Sequence, residues 1–302
     1  MLSSLPERFN RGVTLADGRV LGYAEVGDLG GEPLLMFHGT PSSRLDAFWL
    51  DESARRNGWR LIAPDRPGHG RSSPQPGRAL VDWPADVAEL ADQLGLGRFG
   101  VLGFSGGAPY ALVTAQQLPT RVTVVGLVSA WGPPDRPGAY HGVPLPERAF
   151  DGLARSAPLV SRAGFAVLRA LLLRTPRAGA AVLGLRVPAD RSDPKAPAEA
   201  ADGPGLDPVG AVREALRPGA AGPAEDLRLI VRPWGFPVGD VGAPVRIWHG
   251  GRDAEVPVHH AEFLCRIVAD GRLEVVAEGD HLMLFTEADA ILAALAAEIR
   301  PT

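Results

Sequence analysis

The run Phe99-Gly100-Val101-Leu102-Gly103-Phe104-Ser105-Gly106-Gly107 decides how this chain is read. Residues 99–103 form a short apolar stretch of the buried-strand type, and residues 107–117 have helical spacing. Between them stands Gly-Phe-Ser-Gly-Gly, a G-x-S-x-G at a strand-to-helix turn. Such a turn is tight enough to favour glycine on either side of the serine and pushes the hydroxyl out of the sheet. The helix N-terminus beneath it favours developing negative charge. Ser105 is therefore the candidate nucleophile, against the plainer reading of a glycine-rich structural turn.

Working outward, strands and helices alternate. Upstream, residues 14–26 read as a hairpin around Asp17-Gly18, and Leu34-Leu35-Met36-Phe37 is a buried strand. Residues 44–57 have helical spacing up to Gly58, a C-cap signal. Residues 60–63 form a strand closed by Pro64, and residues 83–94 a helix with Pro84 in its first turn. Downstream, residues 122–128 are a β-branched strand. The pattern breaks after Trp131 and returns with a strand at 244–249, a helix at 259–268, a strand at 272–276 and a helix at 287–300. Repeated strand–helix units predict an α/β fold with a mostly parallel, doubly wound sheet. Residues 1–131 and 241–302 would be its core. Residues 132–240 would be an inserted, mainly helical cap. Within that insertion residues 153–173 read as helix, and residues 186–223, dense in Ala, Pro, Gly and Asp, as a partly mobile tract.

Composition bounds the function. The chain has 302 residues, 45% hydrophobic and 22% charged, enough for a sizeable core. A net charge of -4 argues against a nucleic-acid partner, which needs a basic face to neutralise phosphates. Lys195 is the only lysine, and the arginines are scattered. A single cysteine, Cys265, excludes an internal disulfide and a four-thiolate zinc site. No stretch reaches a membrane span and residues 1–10 lack an export signal, so a cytoplasmic protein without stable membrane association is expected.

Two more candidates lie where strands end. Asp253, just past the strand at 244–249, would hold a histidine in the correct tautomer and stabilise its imidazolium. The rival acid is Asp135, which opens the Pro-rich cap with no helix to fix it. Of seven histidines, only His281 both follows the acid and sits at a strand's carboxyl end. His249 closes a strand as a packed residue, His259 and His260 begin a helix on the surface side, His141 lies in the Pro-rich cap, and His69 organises its loop. The order Ser, Asp, His along the chain is the one expected of such a fold's triad. Acyl transfer also needs backbone N–H groups aimed at the oxyanion. One is expected from Gly106 and the other from the loop His38-Gly39-Thr40-Pro41, where Thr40 is the candidate; Pro41 has no N–H to give.

These pieces carry a resemblance. His38-Gly39-Thr40-Pro41, Asp65-Arg66-Pro67-Gly68-His69-Gly70-Arg71-Ser72, Gly103-Phe104-Ser105-Gly106-Gly107, Gly250-Gly251-Arg252-Asp253 with Val256-Pro257, and Gly279-Asp280-His281 are together similar to the α/β-hydrolase fold superfamily. The resemblance covers the core and not the cap. It implies Ser105 as nucleophile, His281 as base and Asp253 as its partner, with no cofactor and no metal. A serine at the elbow sets the chain apart from the epoxide hydrolase and haloalkane dehalogenase branches, which attack with Asp. The function expected is a serine hydrolase acting on a small or medium carboxylic ester, or a related acyl bond, through an acyl-enzyme. The alternatives are a non-catalytic small-molecule binder, or a lyase or perhydrolase using the same three residues. His38, Phe104, Trp131, Phe165 and Trp234 are the candidate substrate contacts. Trp131, Trp234 and Phe236 serve hinge packing equally well. The helical stretch with Phe165, Leu168, Leu171 and Leu172 would line the acyl pocket, Arg162, Arg169 and Arg174 breaking the apolar run a membrane helix would need. The sequence permits a homodimer.

Overall fold

A strand such as Leu34-Leu35-Met36-Phe37 has no polar face, so both of its sides must be covered. The computed structural model, which describes residues 5–183 and 208–299, covers them with helices on each side of one sheet. The strands are β1 (Arg11–Thr14), β2 (Val20–Gly27), β3 (Glu32–Phe37), β4 (Trp59–Pro64), β5 (Phe99–Phe104), β6 (Val122–Val128), β7 (Val245–Gly250) and β8 (Gly271–Val276). Their order across the sheet is β1-β2-β4-β3-β5-β6-β7-β8. The β1–β2 and β2–β4 pairs are antiparallel, and all pairs from β4 to β8 are parallel. The expected hairpin is β1–β2, with Gly18 at φ 84 in its turn, a backbone few other residues adopt.

The described helices are α1 (Asp51–Arg56), α2 (Trp83–Gln93), α3 (Ala108–Gln117), α4 (Leu145–Ser156), α5 (Pro158–Arg174), α6 (Pro176–Val182), α7 (Pro208–Ala215), α8 (Ala221–Ile230), α9 (His259–Ile267), α10 (Met283–Thr286) and α11 (Ala288–Ile299). Residues alternate along each inner strand between two cores. Leu35, Phe37, Val101, Leu127 and Ile247 pack with α2, α3 and α9 through Val87, Leu90, Tyr110 and Leu264. Leu34, Met36, Leu102, Val128 and Trp248 pack with α1 and α11 through Ala54, Ile291, Leu292 and Leu295. That period of two, with both phases apolar, is what a doubly covered sheet requires.

Between β6 and β7 run α4 to α8. They have a small core of their own, built from Phe165, Leu168 and Leu172 of α5, Ala180 of α6, Val209 and Val212 of α7, Leu216, and Ala224 of α8. The single helix expected over 153–173 is two. Ala157, at φ -136, separates them, because Pro158 has no N–H and disfavours helical backbone before it. Of the tract expected to be mobile, residues 186–207, Lys195 among them, lie outside the described residues. The remainder is ordered instead, as α7 and the start of α8: Pro208 and Pro223 sit in first turns, where a missing N–H costs nothing. Residues 44–57 divide into a 3-10 segment, Arg44–Leu50, followed by α1. Among the described residues no helix is long and apolar enough to cross a membrane.

Candidate active site

The strand order reverses where β3 and β5 become neighbours while β4 lies outside β3. A crevice opens beyond the carboxyl ends of strands at such a switch point. Phe37 pairs with Gly103 there, so the loop beginning at His38 and the turn carrying Ser105 leave the sheet side by side. Ser105 has φ 50, left-handed backbone that costs a residue with a side chain about 1–2 kcal/mol. The glycines around it are required by contact. A Cβ on Gly103 would stand 2.8 Å from Ala108 Cα, and one on Gly107 would stand 2.1 Å from the Phe37 carbonyl oxygen. A Cβ on Gly106 would meet Thr40 Oγ1 at 2.6 Å and Ile230 Cδ1 at 2.9 Å.

His281 follows β8 and Asp253 follows β7, and the two come together at Ser105. Ser105 Oγ lies 3.0 Å from His281 Nε2, and His281 Nδ1 lies 2.9 Å from Asp253 Oδ2. The carboxylate accepts a hydrogen bond from Nδ1–H and so keeps the proton on Nδ1, which leaves Nε2 free to accept from the serine hydroxyl. Asp253 Oδ1 is held by the backbone N–H groups of Glu255 (2.9 Å) and Val256 (2.8 Å). Burial alone would raise Asp253, but the His281 and Val256 hydrogen bonds outweigh it and keep the carboxyl below its ordinary range. Burial alone would lower His281, but its bond to Asp253 and the charge of Glu255 outweigh that, and its pKa is raised. The His281 carbonyl accepts from Ser129 Oγ at 2.9 Å, and Ser129, just past β6, also has positive φ (50). His249 is fully buried behind the acid, with Nε2 2.8 Å from the Val256 carbonyl and 3.6 Å from Asp253 Oδ2.

The loop after β3 is braced from beneath. Arg66 donates to the His38 carbonyl, to the Gly39 carbonyl (3.0 Å) and to Thr40 Oγ1 (2.7 Å). Asp226 of α8 accepts from Thr40 Oγ1 (2.7 Å), Arg66 (2.7 Å), Arg78 (3.0 Å) and Tyr110 (2.5 Å). Burial alone would raise Asp226, but the flanking guanidiniums overcome it and hold its carboxyl well below the usual range. A cavity of about 100 Å³ opens over Ser105, lined among others by Thr40, Trp49, Phe104, His281 and Phe285. Two carboxyls face it, Asp46, pushed up to about 7 by burial, and Glu255, whose Oε2 lies 3.6 Å from His281 Nε2.

Of the five candidate substrate contacts, Phe104 lines this cavity, its ring 5.5 Å from that of His281. Among the described residues the other four belong elsewhere. His38 is 1% exposed, its Nδ1 on the Gly39 carbonyl and its Nε2 accepting from the Arg66 N–H, so it holds the loop rather than lining the site. Trp131 packs edge-on against His260 at 4.7 Å. Phe165 is buried in the core of α5–α8 against Phe150. Trp234 donates to the Ile230 carbonyl and stacks on Phe236. His260, expected on the surface side, is fully buried and accepts from the Gly132 N–H at 3.0 Å, because it fills the space beneath Trp131. Asp135 is exposed beside Trp234 and Phe263, away from His281. Strand-end logic applies equally to Ser129, which it would have found. Asp226 carries no such signal, being one acid on a helix in a Pro/Ala/Gly-rich stretch.

Comparison with known proteins bears on the family and the fold. A family model described as alpha/beta hydrolase fold matches residues 32–288. A non-heme chloroperoxidase from Streptomyces lividans is 36% identical over 157 residues, which is 51% of this chain and 56% of that relative, so the match spans little more than half of the relative's length. A non-heme haloperoxidase from Rhodococcus erythropolis is 28% identical over 305 residues, covering 94% of this chain and 97% of that protein. Among solved structures, an esterase from Exiguobacterium antarcticum superposes with a TM-score of 0.68 at 20% identity, over 95% of this chain and 98% of the other.

Proposed function

The chain belongs to the α/β-hydrolase fold family, and from that premise we propose that it is a serine hydrolase cleaving carboxylic esters or related acyl bonds. The observation that carries the reading is the continuous hydrogen-bonded line from Ser105 through His281 to Asp253. Ser105 Oγ attacks the acyl carbonyl while His281 Nε2 takes its proton. Asp253 stabilises the imidazolium without taking the proton. The amides of Thr40 and Gly106, neighbours across the crevice, receive the negative charge on the carbonyl oxygen. His281 then protonates the leaving alcohol, and water, activated by the same imidazole, releases the acid and restores Ser105. Helices α4 to α8 serve as the cap, with Pro208 and Val212 of α7 contributing to the wall over Ser105.

A second reading shares the first half of this sequence. Two relatives are named as haloperoxidases. On the same acyl-enzyme, hydrogen peroxide in place of water gives a peroxyacid and free Ser105, and the proton from peroxide passes to His281. Turnover of a p-nitrophenyl ester, with and without added peroxide, separates the two by product. In either case Ser105→Ala is expected to abolish turnover while leaving the melting temperature unchanged. Undiminished turnover in that variant refutes the nucleophile assignment.

A further inference from the structure

Asp226 is fully buried on α8, 186 residues along the chain from Thr40, and both of its oxygens are in use. Oδ2 accepts from the Thr40 hydroxyl at 2.7 Å and from Arg66 Nη2 at 2.7 Å; Oδ1 accepts from Tyr110 at 2.5 Å and Arg78 Nη2 at 3.0 Å. The Thr40 hydroxyl gives its one proton to Asp226 and accepts from Arg66 Nη2 at 2.7 Å, so it has no proton left for a substrate oxygen. Arg66, oriented by Asp226, donates to the carbonyls of His38 and Gly39, which lie in the same loop. One carboxylate on a helix between β6 and β7 thereby reaches three consecutive residues beside the Ser105 turn.

We infer that Asp226 is a positioning residue for the oxyanion loop: it holds His38-Gly39-Thr40, directly and through Arg66, at the distance from Gly106 that acyl transfer needs. The role rests on the serine-hydrolase reading. Asp226 does not border the cavity over Ser105 and touches no substrate. Its work is to fix one side of a gap whose other side is Gly106, where a Cβ would already stand 2.6 Å from Thr40 Oγ1. A gap that narrow leaves no slack, and displacement of an oxyanion donor by about 1 Å costs on the order of 100-fold in rate. The cost falls on kcat, because the charge being stabilised exists only in the transition state.

The carboxylate also neutralises Arg66 and Arg78 in a dry site, and Asp226→Asn leaves two buried cations short of a partner. That variant confounds positioning with folding, so the decisive variant is Thr40→Val, which puts a methyl in place of the hydroxyl and breaks its bonds to Asp226 and Arg66 while leaving the two charges paired. Its control is Tyr110→Phe, which removes a different hydrogen bond to the same carboxylate. The assay is turnover of p-nitrophenyl acetate, with the rate of Ser105 labelling by a fluorophosphonate as a second readout. Expected for Thr40→Val is a fall in kcat and in labelling rate of about tenfold or more with KM within twofold, and a melting temperature lowered about as far as that of Tyr110→Phe, since both variants take a hydrogen bond from the buried Asp226. Expected for Tyr110→Phe is a lowered melting temperature with kcat within twofold of the wild type. A folded Thr40→Val with wild-type kcat overturns the role. So does a Tyr110→Phe whose kcat falls as far as that of Thr40→Val, since the knot is then only structural. A wild type that neither labels nor turns over ester overturns the serine-hydrolase reading, and this role with it.

Discussion

Replacing Glu255 with Gln isolates one electrostatic contribution to the proposed general base. Glu255 Oε2 lies 3.6 Å from His281 Nε2, and its side chain is 56% exposed. A unit charge at that distance in a water-like dielectric favours the imidazolium by about 1 kcal/mol. Screening at physiological salt trims this to about two-thirds. The remainder is roughly half a pH unit on His281. The direction follows from the chemistry: the carboxylate stabilises the protonated ring, so its removal lowers the pKa. The base must be neutral to accept the Ser105 proton, so the acidic limb of kcat/KM moves to lower pH in the variant. The assay is kcat/KM for an uncharged ester from pH 4.5 to 9, at low salt and at 1 M salt. The apparent pKa should fall by about half a unit at low salt, and the difference should shrink at 1 M, where the Debye length is only about 3 Å. An acidic limb that stays in place or moves upward refutes the argument that Glu255 acts on His281 through space.

Other outcomes follow from single contacts. Ser105→Gly relieves the left-handed backbone, so it should melt about 1–2 degrees above Ser105→Ala, by about 1 kcal/mol, although both are inactive. Equal melting of the two shows that the turn is not strained. Gly106→Ala drives a methyl against Thr40 and Ile230 and should lower kcat on the order of 100-fold with KM little changed. A wild-type rate means that the loop moves freely. Gly222→Ala places a Cβ 2.1 Å from the Gly68 carbonyl oxygen, backbone against backbone, where α8 meets the loop after β4. It should destabilise the fold by about 2–3 kcal/mol in a urea titration, within the range for overpacking. A change under about 0.5 kcal/mol argues that α8 is not clamped to the core.

The parts of the fold readable from the chain are those where one residue type has one physical use. Leu34 to Phe37 have no polar alternate position, so the strand is buried on both faces. Gly18 and Gly58 mark turns because both take positive φ. Ser105, Asp253 and His281 stand at strand ends, so a one-dimensional pattern was enough to nominate them. The segment between β6 and β7 lacks that grammar. Its small core is assembled from four helices, and nothing local distinguishes Phe165, which faces that core, from a residue facing substrate. The role of His38 is hidden for a related reason. Its place beside the site is legible, but its role depends on Arg66, whose N–H meets the ring from another loop. Asp226 and Arg44 each find their charge partners far along the chain. Arg44 pairs with Asp65 and with Glu214 of α7, a contact 170 residues away that no periodicity announces.

The central claim is that the oxygen of Ser105 takes up an acyl group with His281 as its base. Intact-protein mass spectrometry after rapid mixing with an activated ester and acid quenching reads this directly, followed by peptide mapping of the adduct. The account predicts one acyl group per chain, mapped to Ser105, absent from Ser105→Ala and formed at least about 100-fold more slowly in His281→Ala. An adduct on any other residue, or one that forms equally fast without His281, contradicts it.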